Sequence, residues 1–274
     1  ALQLAAPYVD PHGEVTVLDV GQGDCIYIEL PYRKAVYLID TGGAAEWGKE
    51  SWRRRAHPFS VGRDVVVPFL KAQGVRTIDK LILTHDDADH IGSAPEVFEA
   101  VKVKEMVTSP GALPRVQKMA RPFSGPVRTA VRGERWTEGG VQFIVLHPEK
   151  GNNEDNNGSL VLLARLGGLI WLFAGDIEEE AEQALIRAYP ELRADVLKVA
   201  HHGSKTSTTE PFLRTIKPRA AIISVGRYNR YGHPSSEVLM RLRQQRAIVW
   251  RTDENGAIRY VYGENGGTFQ VMKP

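Results

Sequence analysis

His85-Asp86-Asp87-Ala88-Asp89-His90 follows directly on the apolar run Leu81-Ile82-Leu83. Residues 78–83 read as a buried strand, and the six residues sit at its exit. Two imidazoles and three carboxylates packed there would be costly to hold together without a cation to neutralise them. In an extended-to-turn segment His85 and Asp87 are two apart and point to one side. Asp89 and His90, past the turn on a helix start, address a second ion nearby. Imidazole combined with carboxylate suits divalent Zn, Mn, Fe or Co.

Polar groups recur at other strand exits. Asp176, in Ala174-Gly175-Asp176, ends the apolar run 169–173, and its two oxygens can bridge two ions. Lys198-Val199-Ala200-His201-His202-Gly203-Ser204 places paired histidines after another strand. Asp40, in Ile39-Asp40-Thr41-Gly42, can accept from the free nitrogen of a metal-bound histidine and fix its tautomer.

Strands are expected at residues 14–20, 25–30, 35–39, 78–83, 102–108, 141–146, 159–166, 169–174, 195–199 and 220–225, and again at 247–252, 258–262 and 268–272. Gly167-Gly168 reads as a tight hairpin. Helices are expected at 65–73, 92–100, 178–188 and 236–245, on the spacing of their apolar residues. Residues 44–59 read as a polar insertion loop and 109–135 as irregular. Two strand-rich halves, each followed by helices, predict an α/β fold, an αβ/βα four-layer sandwich, as a single domain over residues 1–274.

The 274 residues are 42% apolar and 25% charged, the balance of a soluble globular protein. Net charge is +2, which neither demands nor excludes nucleic acid. A single cysteine, Cys25, rules out an intrachain disulfide and reads as a small buried residue. No run approaches the roughly 20 apolar residues of a membrane helix. The chain does not begin with Met, which leaves two expectations, a processed chain or an excised part of something larger.

Taken together, these strand-end groups resemble the metallo-β-lactamase superfamily, hydrolases with a two-metal site. The superfamily signature is His-x-His-x-Asp-His; here it is His85-x-Asp87-x-Asp89-His90, with Asp in place of the middle His. The added oxygen ligand shifts the expected ion from Zn²⁺ toward Mn²⁺, with Zn²⁺ as the alternative. The superfamily also supplies a histidine before the hairpin that leads to the bridging Asp. Here residues 153–159 hold none, and Asp155, Asn156 or Asn157 is left to serve through oxygen. His147, just upstream, reads as structural.

The segments Leu18-Asp19-Val20-Gly21-Gln22-Gly23-Asp24, Asn157-Gly158-Ser159-Leu160-Val161-Leu162, Ala174-Gly175-Asp176-Ile177-Glu178, His201-His202-Gly203-Ser204 and Tyr228-Asn229-Arg230-Tyr231-Gly232-His233-Pro234 narrow the likeness. They resemble the soluble C-terminal domain of the ComEC competence-channel family. The resemblance implies a metal-dependent nuclease that degrades one DNA strand during natural transformation. It implies a monomeric domain of an inner-membrane protein, on the extracytoplasmic face, with DNA (in single-stranded form) and the transmembrane channel portion as partners. His85 and Asp87 would hold one ion and Asp89, His90 and a histidine of the 201–202 pair the other, with Asp176 between. His202 is the slightly preferred ligand, because Gly203 after it matches the family's His-Gly; His201 would then contact phosphate or donate a proton.

His233 is a candidate to protonate the leaving oxygen. Gln22, Asp24, Asn157, Ser204, Lys205, Arg227 and Arg230 are candidates to line the site or bind substrate. DNA contact needs cations and stacking faces. Three groups offer them: Lys49, Trp52, Arg53, Arg54, Arg55 and His57; then Arg115, Lys118, Arg121, Arg128 and Arg132; then Arg227, Tyr228, Arg230 and Tyr231.

Overall fold

Apolar residues alternate in some strands and run unbroken in others, and that contrast locates each strand in a layer. In Ala257–Gly263, Ile258, Tyr260 and Tyr262 are buried and the residues between them are not. One face meets the core and one meets water. In Leu169–Phe173 the last three residues, Trp171, Leu172 and Phe173, are all buried. Such a strand is covered on both faces.

The computed structural model describes residues 7–43, 59–121, 123–151 and 155–272. Its strands are β1 Gly13–Val17, β2 Ile26–Glu29, β3 Val36–Ile39, β4 Thr77–Leu83, β5 Lys102–Thr108, β6 Val127–Thr129, β7 Arg135–Glu138 and β8 Val141–His147. They continue with β9 Val161–Leu166, β10 Leu169–Phe173, β11 Val196–Lys198, β12 Ala220–Ile223, β13 Ile248–Arg251, β14 Ala257–Gly263 and β15 Gly266–Met272. One sheet has the order β15-β14-β1-β2-β3-β4-β5-β6, the other β13-β12-β11-β10-β9-β8-β7.

The sheets pack face to face. Val15, Ile28 and Tyr37 from the first meet Phe143, Leu162 and Trp171 from the second in one buried cluster. The outer face of the first sheet packs Leu38, Leu81 and Met106 against Leu70, Val97 and Val116, three helical residues. The outer face of the second packs Leu172, Leu197 and Ala221 against Leu185, Phe212 and Val238 of the helices Glu179–Ala188, Glu210–Ile216 and Ser236–Gln244. Helices, sheet, sheet, helices: this is the expected four-layer sandwich.

Parallel pairing sets where the chemistry gathers. β3, β4, β5 and β6 run parallel, as do β10, β11, β12 and β13. Their carboxyl ends share one edge of the sandwich. β2 is antiparallel to β3, so the turn before β2 arrives at the same edge. The Gly167-Gly168 hairpin, with φ of +58° and +82°, returns the chain into β10 and so delivers Asp176 there.

Two expectations need correction. Residues 109–135 are not wholly irregular: they hold the helix Leu113–Met119 and strand β6, and β7 begins at Arg135. That helix buries Val116 alone of its residues, so its apolar stripe is too thin to read, and Pro114 in its first turn reads as a loop signal. The helix Glu210–Ile216 and the turn Thr252–Asn255 are likewise additions to the expected elements, the first masked again by a proline that opens it. Residues 44–58, with the basic stretch from Lys49 to His57, lie outside the described residues.

Candidate metal centre

Four strand ends supply the site. β3 ends in Asp40, whose φ of +57° turns its carboxylate back across the edge. One oxygen accepts from the Thr84 backbone N–H at 2.8 Å, the other from the Thr84 hydroxyl at 2.7 Å. β4 leads into His85 and the short helix Ala88–Ile91. β10 leads into Asp176, and β11 into His201 and His202.

The turn before β2 is stitched to this assembly by its backbone. Asp24 N–H donates to the Asp89 carbonyl at 3.2 Å, and Gly42 N–H to the Asp24 carbonyl at 2.7 Å. At Gly23, φ is +133° and a Cβ would collide with the Asp89 carbonyl, so the close approach requires glycine.

The pair after β11 is bent sharply. His201 and His202 have φ of +46° and +52°, a left-handed conformation that costs on the order of 1–3 kcal/mol each for such residues. The bend separates the two rings. His202 is buried and faces the cluster, whereas His201 is partly exposed, with Nδ1 3.1 Å from Glu178 Oε1. The slight preference for His202 in the sequence accords with the placement of the two rings: Asp89, His90 and His202 form a group that could hold an ion.

The inner set is fully ordered. His90 Nδ1 lies 2.8 Å from Asp40 Oδ2, and His202 Nδ1 lies 3.0 Å from the Ser224 carbonyl. Both Nδ1 atoms therefore carry the proton, and in the neutral rings both Nε2 atoms are bare acceptors. Those acceptors point at one another and at carboxylates. His90 Nε2 is 3.4 Å from His202 Nε2 and 3.2 Å from Asp176 Oδ2. His202 Nε2 is 3.2 Å from Asp89 Oδ2 and 3.6 Å from Asp176 Oδ2. A tetrahedral ion with bonds of about 2.0–2.1 Å sets its ligands roughly 3.3 Å apart. The donor set fits a divalent cation in both chemistry and spacing.

The outer set is looser. His85 Nε2 is 3.7 Å from Asp87 Oδ2 and 3.9 Å from Asp176 Oδ2. His85 Nε2 and Asp176 Oδ1 are buried and lack a hydrogen-bond partner among the described residues. Buried polar atoms left so are uncommon, and here they face the same space. His85, His90 and Asp176 form one candidate ligand group, and Asp89, His90 and His202 a second.

Proton and charge shifts follow from this crowding. Burial pushes the Asp89 carboxyl up, but the His202 hydrogen bond and the charges of His90 and His202 outweigh it and hold it at about 2. Asp176, where burial is likewise opposed by His90 and His202, lies well below the usual carboxylate range. Asp87 is lowered chiefly by the His85 imidazole beside it, whose Nε2 stands 3.7 Å from its carboxylate. Burial would lower His90 and His202, yet the Asp176 charge, with Asp40 and Asp89, raises both. Without an ion the cluster holds itself together with protons.

Beneath the inner set lies a buried ion pair. Lys198 Nζ is 2.8 Å from Asp24 Oδ2, with both side chains almost wholly excluded from water, and it also donates to the Val199 carbonyl at 2.9 Å. Asp24 Oδ1 stands 3.6 Å from His202 Nδ1. Lys198 is not among the residues expected to line the site; its one signal in the sequence is a lysine inside the apolar run Val196-Leu197-Lys198-Val199.

The remaining candidates are placed as follows. Gln22 Oε1 accepts from Gly226 N–H at 3.4 Å. Asn157 Oδ1 accepts from Glu178 N–H at 2.9 Å, and the Asn157 carbonyl lies 2.6 Å from His147 Nε2, so Asn157 and His147 brace the loop before β9. Ser204 Oγ bonds Thr206 Oγ1 at 2.9 Å, and Lys205 is exposed. His233 packs against His201 with ring centres 5.6 Å apart; burial, then the charges of His201 and His202, push it down to about 4. Asn229, quoted in a resembling segment but not among the candidate site residues, shapes that loop: its amide donates to the Gly226 and His233 carbonyls and its oxygen accepts from His233 N–H. Arg227 and Arg230 are exposed on it. Of the second basic group, Arg128 and Arg132 are ion-paired to Glu105, Glu134 and Glu149. Cys25 is a free thiol and buried, as expected.

The metallo-β-lactamase superfamily model matches residues 18–227. Two relatives align along almost the whole chain: "ComE operon protein 3" of Bacillus subtilis, 43% identical over 98% of this chain, and "Competence protein ComA" of Neisseria gonorrhoeae, 34% identical over 97%. The chain spans about a third of their length, 35% of each. Among solved structures, the metallo-β-lactamase fold protein YhfI of Bacillus subtilis matches with a TM-score of 0.56 at 11% identity, covering 90% of this chain and 99% of that one. Zn²⁺-bound PqqB of Methylobacterium extorquens matches with a TM-score of 0.50 at 10% identity, over 88% and 97%. Among the described residues no helix is long and apolar enough to cross a membrane. The chain belongs to the metallo-β-lactamase superfamily of metallohydrolases, and its full-span relatives are competence proteins of the ComEC-like kind.

Proposed function

We propose that this chain is a metal-dependent deoxyribonuclease that cleaves DNA phosphodiesters, acting on the strand discarded during DNA uptake. The observation that carries the reading is the spacing of bare acceptors around His90 and His202, 3.2–3.6 Å, which suits a caged cation. The choice of DNA as substrate rests on the resemblance to the ComEC family, with which relatives named "ComE operon protein 3" and "Competence protein ComA" are in keeping.

In this reading His85, Asp87 and Asp176 hold one ion, and Asp89, His90, His202 and Asp176 hold the other. Bound there, divalent ions would supply Lewis-acid polarisation of a phosphodiester and activation of water near neutral pH. Asp40 and the Ser224 carbonyl keep the Nδ1 protons of His90 and His202 in place, so that both Nε2 atoms face inward. Asp87 in place of an imidazole makes the outer set oxygen-rich, which favours Mn²⁺ over Zn²⁺. Asn157, a candidate to serve through oxygen in place of the superfamily's histidine, has its amide oxygen accepting from Glu178 N–H. His201 and His233 stand at the rim to contact the substrate phosphate. His233, neutral at physiological pH, does so as a hydrogen-bonding ring rather than as a charged acid.

The domain would work as a monomer on the extracytoplasmic side of the inner membrane, joined to the channel portion of the same protein. The test is an assay of end-labelled DNA across divalent ions. Cleavage with Mn²⁺, abolished by Asp89→Ala, is expected. No cleavage with Mn²⁺, Mg²⁺ or Zn²⁺ would overturn the reading.

A further inference from the structure

Beside the metal cluster lies an open groove of about 360 Å³. Asp89, a member of the cluster, lines it together with Gln22, and the 228–231 loop forms its far wall. That wall is unusual in presenting aromatic rings to water. Tyr228 is 88% exposed and Tyr231 51%, on a loop that Asn229 holds in shape. Rings held in water by a braced loop are poised to be covered by another flat apolar face.

Charge tells the two sides of Tyr228 apart. On one side a groove of about 480 Å³ is lined by Asp19, Asp253 and Glu254, and Arg227 turns toward it to donate to the Asp253 carbonyl. Asp253 and Glu254 are paired with Arg251, and Arg227 is tied to the Asp253 carbonyl, so this side offers a phosphate chain no uncommitted cation among its lining residues. The 360 Å³ groove on the other side has Arg230 on its wall and leads to the cluster.

We propose that the groove between Tyr228, Arg230 and Asp89 seats one unpaired nucleotide of a nucleic-acid strand, with its base stacked on Tyr228 and its phosphate drawn by Arg230 toward the metal centre. The proposal deepens the nuclease reading and rests on it for the substrate class. The volume lies in the range of about 300–1,000 Å³ typical of small-ligand sites, enough for a nucleotide and too small for a duplex. Paired bases have their faces already stacked and cannot offer one to Tyr228. Stacking on an exposed ring is how sequence-tolerant single-strand sites gain affinity. The rings continue inward: Tyr231 stacks on His233 at 5.6 Å and 25°, and His233 meets His201 edge-on. His233 Nδ1 is buried with no hydrogen-bond partner among the described residues.

The test is fluorescence anisotropy in EDTA with three labelled probes: a single strand, its blunt duplex, and the same strand carrying abasic sites. Wild type should bind the single strand about tenfold more tightly than the duplex. Tyr228→Ala should lose about tenfold on the single strand and nothing on the abasic strand, and Tyr228→Trp should restore binding. Equal affinity of wild type and Tyr228→Ala for the single strand would overturn the proposal. So would equal loss on all three probes. Single-strand binding through Tyr228 without cleavage in Mn²⁺, Mg²⁺ or Zn²⁺ would sink the nuclease reading and leave this inference standing. Cleavage in Mn²⁺ with no dependence of binding on Tyr228 would do the reverse.

Discussion

The inner and outer halves of the metal centre are built differently. Around His90 and His202 both rings have Nδ1 fixed, one by a carboxylate and one by a carbonyl, and both are shut off from water. Around His85, Nδ1 meets the Thr84 hydroxyl at 3.1 Å, Asp87 is half-exposed, and the carboxylate oxygens stand 3.7–3.9 Å away. One strand edge has produced a preorganised site and an adjustable one. Ligands held in advance by partners of their own bind an ion without the cost of ordering them. The two ions should therefore differ in affinity, with the outer one the more readily lost.

Asp176 is the element common to both halves, so its removal should have the largest effect. Asp176→Ala is expected to lower kcat/KM by about 10³-fold or more and to strip both ions, read by metal analysis of the purified protein. Retention of one ion would mean that the halves are independent. Next, Lys198→Met leaves Asp24 buried without its partner and should destabilise the metal-free protein by about 3–5 kcal/mol in urea unfolding. Asp40→Ala should weaken the inner ion most, by about 10–100-fold, since it frees the His90 ring, and the outer ion less, through the Thr84 hydroxyl that Asp40 holds beside His85. Asp87→His should act on the outer ion alone, moving its preference from Mn²⁺ toward Zn²⁺, read by competition between the two metals.

The smallest effect is that of pH on the metal-free protein. His90 and His202 are raised in the folded state, where Asp176 and its neighbours outweigh burial. Their contribution to stability is complete below the unfolded value of about 6.5 and is lost as pH rises through the folded one. Asp89 and Asp176 are depressed, so their contribution is present above about 3.9 and is lost as pH falls. In EDTA the protein should be most stable between about pH 4 and 6.5 and weaker above. Bound ions displace the histidine protons, so Mn²⁺ should stabilise more at about pH 8 than at about pH 6.

Strand positions are legible in the sequence wherever a run is buried on both faces or alternates cleanly, as in β5, which spans the expected residues 102–108. Elements with a thin apolar stripe, such as Leu113–Met119, are not. Dense charge directly after an apolar run is costly to gather without a cation, and that marks His85, Asp87, Asp89, His90, Asp176 and the histidine pair. The same rule does not separate His201 from His202, since that depends on two left-handed residues in succession. Nor does it pair Lys198 with Asp24, which are brought together by the packing of distant strands rather than by any local spacing.

Titration of Mn²⁺ into EDTA-stripped, dialysed protein by calorimetry tests the caged pair most directly. Two binding events of unequal affinity are expected, with Asp87→Ala removing only the weaker and His90→Ala removing the tighter. A single event, or two that Asp87, His90 and Asp176 substitutions leave untouched, would contradict the reading of these strand ends as a metal centre.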